Sequence, residues 1–511
     1  MAGPDVTCRT MSGDAQADTI AFLSRGETYG EPGIEVTRIE THISIVFLTG
    51  ERAFKLKRER IFSYLDFSTP EKRRKNCAAE LRLGQKMAPG LYRAMHAVTR
   101  GRDGGVALDG EGEEVDFLIE MRRFGQDALF DHLAAQGGLT PELTRDLADA
   151  IAAFHAGAEP APSWGGAEAV HAVLRDIVKN LKGFPRIFAA PVVNHLAALL
   201  ETQFDANRAL LDARNRAGKV RRCHGDLHLR NICLLDGKPA LFDPIEFNDA
   251  LASIDILYDL AFLLMDLIHE GFGDRANLVF NRYLDISGED GGLALMPLYL
   301  ALRASIRAHV SAAAEKTGLA QSYLRLAGKL LQPKPAMLVA IGGLSGTGKS
   351  TLAYSLAPGL GRAPGARILR SDVIRKRLLG AAPEARLPQA AYGPETHAPV
   401  YAALCSAAAS ALASGQAAIA DATFLSAEER AAIEDVSRSA GKTFMGLWLE
   451  APAELLESRL TARRNDASDA DAAVLRHQLG RDTGPVDWSR LNASGDIVEE
   501  TRAALALIAR G

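Results

Sequence analysis

Cysteine is scarce in this sequence. Five cysteines are spread over 511 residues, in neither the close pairs that bind zinc nor the spacing of a disulfide framework. They are Cys8, Cys77, Cys223, Cys233 and Cys405. This scarcity excludes a small disulfide-stabilised secreted scaffold and is typical of a reducing compartment. The first twenty residues also lack a basic start and an apolar stretch, so we expect no secretion signal and a cytoplasmic protein.

An excess of one charge and a long uncharged apolar run are missing too. The formal net charge of -4 gives no bulk attraction to nucleic acid or to an anionic membrane. The most apolar helix-like stretch, LASIDILYDLAFLLMDLI, contains three aspartates, which disfavours a membrane span. We therefore expect no membrane association and no dedicated nucleic-acid binding, and the sequence leaves the oligomeric state open.

The order of strand-like and helix-like segments predicts two different folds. The stretch GIEVTRIETHISIVFLTGERAFKLKR alternates like strands, PEKRRKNCAAELRLGQKM has helical spacing, and helices dominate to about residue 330. This pattern predicts an α+β bilobal domain. After LLQPKPAM, four short apolar strands alternate with helices, which predicts an α/β domain with a parallel sheet. The predicted boundaries are a polar N-terminal tail at 1–34, a first domain at 35–331, a proline-rich linker at 332–335 and a second domain at 336–511.

The first chemical motif has the spacing H-x-D-x-x-x-x-N. His224, Asp226 and Asn231 fill it, and Asp243 follows after a short strand. Phosphoryl transfer from ATP needs one carboxylate to orient the accepting hydroxyl, and an amide oxygen with a second carboxylate to hold Mg²⁺. We predict Asp226 as the catalytic base and Asn231 and Asp243 as the metal ligands.

A lysine–glutamate pair is expected upstream of this motif. Lys55 and Lys57 lie on one predicted strand, and Glu80 lies on the next helix. Such a pair positions the α- and β-phosphates of ATP. Both lysines point to one face because strand side chains alternate. We favour Lys55 and leave Lys57 as the alternative.

The segments HGDLHLRNI and LFDPIEF resemble the catalytic loop and the metal-binding segment of the aminoglycoside phosphotransferase family. The resemblance implies a protein-kinase-like fold and the use of ATP and Mg²⁺. It also implies that FLIEMRRF, around Glu120, joins the two lobes and bonds the adenine through its backbone. The family's glycine-rich loop is missing before Lys55, and RIETHIS stands in its place. We expect phosphate donors there from Thr41, His42 and Ser44.

The second motif is a phosphate-binding loop. The pattern G-x-x-x-x-G-K-[ST] follows the strand MLVAIGG and precedes a helix, which is the context that this motif requires. The backbone wraps the phosphates, the lysine adds a positive charge and the serine is a Mg²⁺ ligand. The predicted nucleotide-binding residues are Gly343, Ser345, Gly346, Thr347, Gly348, Lys349, Ser350 and Thr351.

Downstream residues favour a kinase over a simple ATPase. Asp372 follows a predicted strand and can accept a hydroxyl proton, while Arg375, one turn later, can hold the acceptor or a phosphate. Asp421 ends another strand at the place of a second metal ligand. An arginine cluster near an Asp-rich turn suits a closing lid that neutralises transferred charge. Its members are Arg459, Arg463 and Arg464.

Residues 336–511 resemble the small P-loop kinases that include gluconate kinases, polynucleotide 5′-hydroxyl kinases and zeta toxins. The two resemblances together imply a bifunctional ATP-dependent phosphotransferase that acts on hydroxyl groups of small-molecule acceptors. Two alternatives stay open. One domain is a regulatory nucleotide-binding module, or the second domain is a polynucleotide 5′-hydroxyl kinase.

Overall fold

The protein is described by a computed structural model that covers residues 16–62, 64–462 and 467–510. The contacts divide these residues into two compact units. The first unit contains the described residues up to Ala190 together with Leu211–Leu263, and the second contains Pro191–Leu210 and the described residues from Leu264 onward. By their contacts, residues 264–331 are grouped with the P-loop region, and the domain boundaries with the linker at 332–335 stay a prediction. None of the helices in the described ranges combines the length and the apolarity that crossing a membrane requires.

The chain as far as α8 alternates short strands with helices. In chain order its elements are α1 (Ala17–Leu23), β1 (Thr37–Glu40), β2 (Ser44–Thr49), β3 (Arg52–Lys57), β4 (Ile61–Phe62), β5 (Leu65–Asp66), α2 (Pro70–Met87), β6 (Tyr92–Arg100), β7 (Val106–Leu108), β8 (Glu113–Arg122), α3 (Phe130–Ala135), α4 (Pro141–Gly157), α5 (Gly166–Lys182), α6 (Ala190–Arg216), β9 (Val220–Arg222), β10 (Ile232–Leu235), β11 (Lys238–Leu241), α7 (Asp249–Ala252), β12 (Ser253–Asp255) and α8 (Ile256–His269). Helices α6 and α8 contribute residues to both units.

A six-stranded antiparallel sheet with the order β1-β2-β3-β8-β6-β7 forms the first lobe. The side chains of β3 alternate between an apolar face and a charged face of the sheet. Phe54 and Leu56 pack in one apolar cluster with Leu23 and Tyr29, whereas the alternate side chains Lys55 and Lys57 reach Glu80 of helix α2. Helix α2 begins at Pro70, and the preceding Thr69 accepts a hydrogen bond from the Lys72 N–H, as an N-cap residue does.

Part of the predicted polar N-terminal tail is folded. Residues 17–23 form α1, and residues 26–29 form a 3₁₀ turn. Leu23 and Tyr29 are buried against Phe54, and the two rings of Tyr29 and Phe54 stack at 4.5 Å. The few apolar residues of this segment therefore attach it to the first sheet.

The chain after α8 begins with three helices and continues as an α/β fold. Its elements in order are α9 (Gly273–Ser287), α10 (Met296–Ala313), α11 (Thr317–Leu330), β13 (Met337–Gly343), α12 (Lys349–Leu356), β14 (Arg367–Arg370), α13 (Ser371–Leu378), α14 (Pro394–Ala413), β15 (Ala418–Asp421), α15 (Ala427–Ser439), β16 (Thr443–Glu450), α16 (Ala453–Ala462), α17 (Ala472–Leu479), β17 (Ser489–Asn492) and α18 (Ile497–Ile508).

A parallel sheet with the order β14-β15-β13-β16-β17 organises this second fold. The predicted architecture is confirmed: an α+β domain with an antiparallel sheet precedes an α/β domain with a parallel sheet. Four of the five strands match the apolar runs seen in the sequence. The fifth strand, β17, has the sequence SRLN, in which only Leu491 is apolar, and this composition gives no strand signal.

Candidate functional site

Two lysines share one buried glutamate in the first unit. Lys55 Nζ donates to Glu80 Oε1 at 2.7 Å, and Lys57 Nζ donates to Glu80 Oε2 at 2.6 Å. Lys55 also pairs with the carboxylate of Asp243, and Lys57 pairs with that of Glu246. The five side chains form a row of alternating charge in the order Asp243, Lys55, Glu80, Lys57 and Glu246.

The charges of this row are set by a balance between burial and pairing. Burial disfavours a charged Glu80, but Lys55 and Lys57 outweigh it and lower the pKa of Glu80 to about 2. Burial likewise opposes the charge of Lys55, whereas Asp243 and Glu80 raise its pKa well above 10.5. Burial raises the pKa of Glu246 at the far end. Lys55 therefore keeps the positive charge that phosphate binding requires.

The backbone at Asp243 directs its carboxylate toward Lys55. Asp243 follows β11 and has φ of 60°, a left-handed conformation that is uncommon outside glycine. Its backbone N–H donates to Tyr92 Oη at 2.9 Å, and its side chain is 47% exposed. The structure thus brings together Lys55, Glu80 and the predicted metal ligand Asp243, and Lys57 contacts Glu246 in place of Asp243.

The predicted base and the predicted amide ligand are in contact. Asn231 Nδ2 donates to the backbone oxygen of Asp226 at 2.9 Å and to Asp226 Oδ2 at 3.0 Å. His228 Nε2 lies 3.4 Å from the same carboxylate oxygen. Since Asn231 uses its nitrogen for these bonds, its side-chain oxygen points away from them and suits a hard cation.

A buried aspartate holds the catalytic loop in place. Asp259 accepts hydrogen bonds from the backbone N–H groups of His224 at 3.1 Å and Gly225 at 2.9 Å. His155 Nε2 lies 3.1 Å from the same carboxylate. His224 Nε2 donates to the Phe242 carbonyl at 2.9 Å, and burial lowers the pKa of His224. The histidine therefore links the loop of Asp226 to the segment that bears Asp243.

The segment predicted to bond adenine is already engaged in the sheet. Glu120 lies inside β8 between β3 and β6, and its carboxylate accepts a hydrogen bond from His96 Nε2 at 2.9 Å. The next backbone N–H groups, of Arg122 and Arg123, donate to Leu91 and Glu51 carbonyls. The adenine contact of this segment stays a prediction.

The predicted phosphate donors occupy the turn between β1 and β2. Thr41 Oγ1 accepts from the Ser44 N–H at 3.0 Å and so closes the turn, while His42 is exposed. Ser44 is buried, and its Oγ has no hydrogen-bond partner among the described residues. Ser44 lies opposite Lys57 in the strand register. The phosphate role of these residues also stays a prediction.

The P-loop of the second unit has the backbone geometry that its glycines allow. Gly343 has φ of 134°, and a Cβ there would lie 2.5 Å from the Leu449 carbonyl oxygen. Gly348 has φ of 89° at the start of α12. Lys349 Nζ donates to the carbonyls of Gly343 at 2.9 Å and Leu344 at 2.8 Å. The lysine thus lies back over its own loop.

The two predicted metal ligands of this unit are adjacent. Ser350 Oγ, in the first turn of α12, donates to Asp421 Oδ2 at 2.6 Å. Asp421 ends β15, and its side chain is buried. A serine hydroxyl beside a carboxylate at the end of a parallel strand supplies the oxygen ligands that Mg²⁺ prefers.

A cavity of about 1360 Å³ contains the P-loop and the predicted acceptor residues. Asp372 lines it, and burial raises the pKa of Asp372. Arg375 also lines it, is buried, and donates to the Ala391 carbonyl at 2.9 Å. Arg375 Nε has no hydrogen-bond partner among the described residues. The lining of the cavity therefore offers a carboxylate and a partly unsatisfied guanidinium group in addition to the P-loop.

The predicted lid arginines fall partly outside the described residues. Arg459, on α16, lines the cavity and donates to the Ala493 carbonyl at 2.8 Å. Arg463 and Arg464 lie outside the residues that the structure describes. Their lid role stays a prediction.

Several polar partners of these sites were not predicted from the sequence. Gln478 accepts a hydrogen bond from the Ser345 N–H at 2.9 Å, and Asp469 accepts one from Tyr392 Oη at 2.5 Å. Glu246 was missed as the partner of Lys57. Its signal was available, because a charged residue within the apolar segment ALFDPIEF calls for a buried partner. Gln478 and Asp469 gave no comparable signal, because they stand in polar surroundings.

Both predicted family resemblances are confirmed. Residues 49–295 match a family described as "Phosphotransferase enzyme family", and residues 338–485 match one described as "AAA domain". The first match contains Lys55, Glu80, Asp226, Asn231 and Asp243, and the second contains the P-loop and Asp372.

Curated relatives span nearly the whole chain. Uncharacterized proteins of Mycobacterium tuberculosis and Mycobacterium bovis are 28% identical over 472 residues. These residues cover 89% of this chain and 92% of each relative. The two matched regions thus occur together in these relatives.

Solved structures resemble each part of the chain separately. The GDP and kanamycin complex of APH(2″)-IIia is 14% identical, covers 61% of this chain and 98% of its own, and has a TM-score of 0.39. A gluconokinase from Sinorhizobium meliloti is 22% identical, with 35% and 94% covered and a TM-score of 0.25. The Mycobacterium tuberculosis APS kinase CysC with AMPPNP and APS is 23% identical, with 35% and 99% covered and a TM-score of 0.25.

Proposed function

We propose that each unit transfers the γ-phosphate of ATP to a hydroxyl group of a small-molecule acceptor. The two family matches support kinase activity in general terms. The observation on which the finer proposal rests is that each unit contains a lysine, two side chains with oxygen donors and a further carboxylate, to which we assign the roles of phosphate binding, metal binding and proton acceptance. In the first unit these are Lys55, Asn231 with Asp243, and Asp226. In the second they are Lys349, Ser350 with Asp421, and Asp372.

The first unit uses Asp226 as the proton acceptor. The acceptor hydroxyl loses its proton to Asp226 while its oxygen forms a bond to the γ-phosphorus, and the bond from that phosphorus to the β-phosphate oxygen breaks to release ADP. Lys55, held by Glu80, neutralises phosphate charge. Asn231 orients the Asp226 carboxylate through the 3.0 Å hydrogen bond between them.

The second unit distributes the same tasks differently. Asp372 accepts the hydroxyl proton, and its raised pKa makes it a stronger base than an ordinary aspartate. Arg375 holds the acceptor or the transferred phosphoryl group through its unsatisfied guanidinium nitrogen. Lys349 exchanges the carbonyls of its own loop for the phosphates.

The donor sets fit Mg²⁺ in both units. Carboxylate, amide and hydroxyl oxygens are the ligands that this cation prefers, and both sets lack sulfur and imidazole ligands. Asn231 and Asp243 would hold it in the first unit, and Ser350 and Asp421 in the second. The cation would neutralise charge on the phosphates there.

The test uses the full chain with one unit disabled at a time, because residues 264–331 pack with the P-loop region. Asp226→Asn silences the first unit and Asp372→Asn the second. Each variant is incubated with ATP and a broad panel of hydroxyl acceptors, including 5′-hydroxyl oligonucleotides, and phosphorylated products are identified by mass spectrometry.

We expect two separate acceptor profiles, one lost in each variant. If a disabled unit leaves every product in place, that unit is the regulatory nucleotide-binding alternative. If the Asp372-dependent product is the oligonucleotide, the second unit is a polynucleotide kinase. If both variants and the unmodified chain release only inorganic phosphate, the proposed function is wrong.

A further inference from the structure

Helix α9 and the 3₁₀ turn after it make buried polar contacts with β14, the edge strand of the parallel sheet. All of these residues belong to the second unit. Arg367, at the start of β14, is 2% exposed. Its Nε donates to Asp290 at 2.7 Å, and its terminal nitrogen donates to Asp285 at 2.7 Å. A buried guanidinium group with two carboxylates is costly to assemble and to break, so this contact fixes where β14 begins.

Side-chain amides complete the hydrogen bonding of the same strand. Asn281 Oδ1 accepts from the Ile368 N–H at 2.7 Å, and Asn281 Nδ2 donates to the Ala366 carbonyl at 3.1 Å. Asn277 Nδ2 donates to the Ala366 carbonyl at 3.1 Å. These bonds take the place of a neighbouring strand, since β14 has β15 on one side only.

Asp290 contacts both ends of the segment that contains the proposed base. One of its oxygens accepts from Arg367 in β14, and the other lies 3.5 Å from Arg377 in α13. Asp372 and Arg375 lie between these two arginines in the chain, and both line the cavity. A single aspartate outside the α/β fold therefore joins the start of β14 to the end of α13.

We propose that α9 and the turn after it are a positioning element of the P-loop site. Asn281 and Asp290 hold β14 and α13 in the orientation in which Asp372 faces the cavity. This inference rests on the proposed role of Asp372 as the base.

If α9 positions the P-loop site, the module that contains this site begins earlier in the chain than the P-loop fold itself. Residues 273–295 lie within the match to the phosphotransferase family, yet their polar side chains serve the second fold. The working module then starts at α9 rather than after the prolines at 333 and 335. A fragment that begins at residue 336 would lack Asn281, Asp285 and Asp290, and would leave Arg367 without its carboxylate partners.

The first test measures hydrogen exchange in the full chain and needs no acceptor. The variants are Asp290→Asn, which keeps the shape of the side chain, and Arg377→Gln, which removes only the half-exposed contact on α13. Arg438→Gln is the matched control, because it breaks an exposed Arg–Asp pair on α15 that lines no part of the cavity.

Exchange of the α13 amides should become about tenfold faster in Asp290→Asn and about threefold faster in Arg377→Gln, with α12 unchanged. The control should match the unmodified chain. Unchanged α13 exchange in both variants would overturn the inference, whatever the catalytic activity. If Asp290→Asn does not fold, Arg377→Gln decides alone.

The second test measures catalysis in an Asp226→Asn background, which leaves only the P-loop site active. A misplaced Asp372 should lower kcat about tenfold in Asp290→Asn while the Kd for ATP changes less than about twofold. Asp290→Glu, which restores the charge, should recover most of the loss. Equal loss of ATP affinity and kcat would mean a merely structural role and would overturn the inference. If the unmodified P-loop site transfers no phosphate at all, the proposed function fails, and the exchange result still decides whether α9 positions α13.

Discussion

The two lysines proposed to bind phosphate are held in opposite ways. Lys55 of the first unit is buried and pairs with two carboxylates, Glu80 and Asp243. Lys349 of the second unit donates to the uncharged carbonyls of Gly343 and Leu344. Lys55 is therefore part of a network of charged side chains, whereas Lys349 is hydrogen-bonded to the backbone of its own loop.

This difference has an energetic consequence. Removing Lys55 would leave Glu80 and Glu246, both buried, with Lys57 as their shared lysine, whereas the two hydrogen bonds of Lys349 described above go to uncharged backbone carbonyls at the edge of a cavity. The first site also depends on residues far apart in the chain, since 188 positions separate Lys55 from Asp243. The two carbonyls that accept hydrogen bonds from the P-loop lysine lie five and six positions away in the chain. The setting of Lys55 is thus a product of the whole lobe, whereas the hydrogen bonds of Lys349 to its own loop are local.

The largest expected effect is the loss of phosphate transfer when the proposed base of either unit is replaced, which tests whether both units use an aspartate as the base. Asp226→Asn and Asp372→Asn should each lower transfer to the acceptor of their own unit by about 10²- to 10⁴-fold, because each removes a base. ATP binding should change little, as measured by isothermal titration. The product of the other unit gives the internal control. A variant that loses ATP affinity in proportion to turnover would contradict the assignment of a base.

The second prediction separates the two lysines by stability. Lys55→Met should destabilise the first unit by about 3–5 kcal/mol, because it removes one partner of a buried ion pair. Lys349→Met should change stability by less than about 1 kcal/mol. Native-state hydrogen exchange of α2 and α12 measures the two units in the same sample. Both variants should lose stabilisation by added ATP. Equal destabilisation by the two substitutions would contradict the proposed difference between a lysine in a buried charge network and a lysine bound to its own loop.

The third prediction separates Lys55 from Lys57. Lys57→Met combined with Glu246→Gln removes a buried pair together, so no unpaired charge is left at that end of the row. Since Lys55 still contacts Glu80 and Asp243, we expect only a fall of about three- to tenfold in kcat/KM at the first site. Lys55→Met is the comparison and should lose far more. A larger loss in the double variant would make Lys57 the phosphate lysine.

The smallest expected effect concerns pH. Burial raises the pKa of Asp372, so the kcat of the second site should begin to fall, as pH is lowered, above the ordinary aspartate value of 3.8. A carboxyl group with a raised folded-state pKa contributes stability below its unfolded value and loses that contribution as pH rises through the folded value. At pH 7, Asp372→Asn should therefore be at least as stable as the unmodified chain. Thermal unfolding at pH 5 and pH 7 measures this, and a lower Tm for the variant at pH 7 would refute it.

The elements that sequence analysis predicted have strong local patterns. Helix α2 begins and ends at the residues expected from PEKRRKNCAAELRLGQKM. The P-loop was predicted from its spacing and from the strand and helix on either side of it, and Lys349 donates to carbonyls of the same loop. Asp226 and Asn231 are five positions apart and hydrogen-bonded to each other, so the relative position of these two side chains also depends on neighbouring residues.

The parts that were not predicted depend on packing between distant segments. Glu246 pairs with Lys57 across 189 positions, and Asp290 pairs with Arg367 across 77. The strand β17 was missed because its position beside β16 is decided by the sheet rather than by its own composition. No sequence signal marks the contact border at Leu263 and Leu264, because a helix shows its apolar face in the sequence but not the segment against which that face packs.

The sequence by itself determined the two folds, the P-loop and the H-x-D-x-x-x-x-N motif, because strand alternation, helix spacing and glycine-dependent turns are properties of neighbouring residues. Only the tertiary structure decided that Lys55 and not Lys57 reaches Asp243, that both lysines share Glu80, and that Asp290 joins Arg367 to Arg377. Lys55 and Lys57 point to the same face of β3, so the local sequence pattern does not show which of them contacts Asp243. The partner of each lysine depends on which carboxylates the folded lobe brings within hydrogen-bonding distance. Because these pairs are buried, breaking one of them costs free energy of folding.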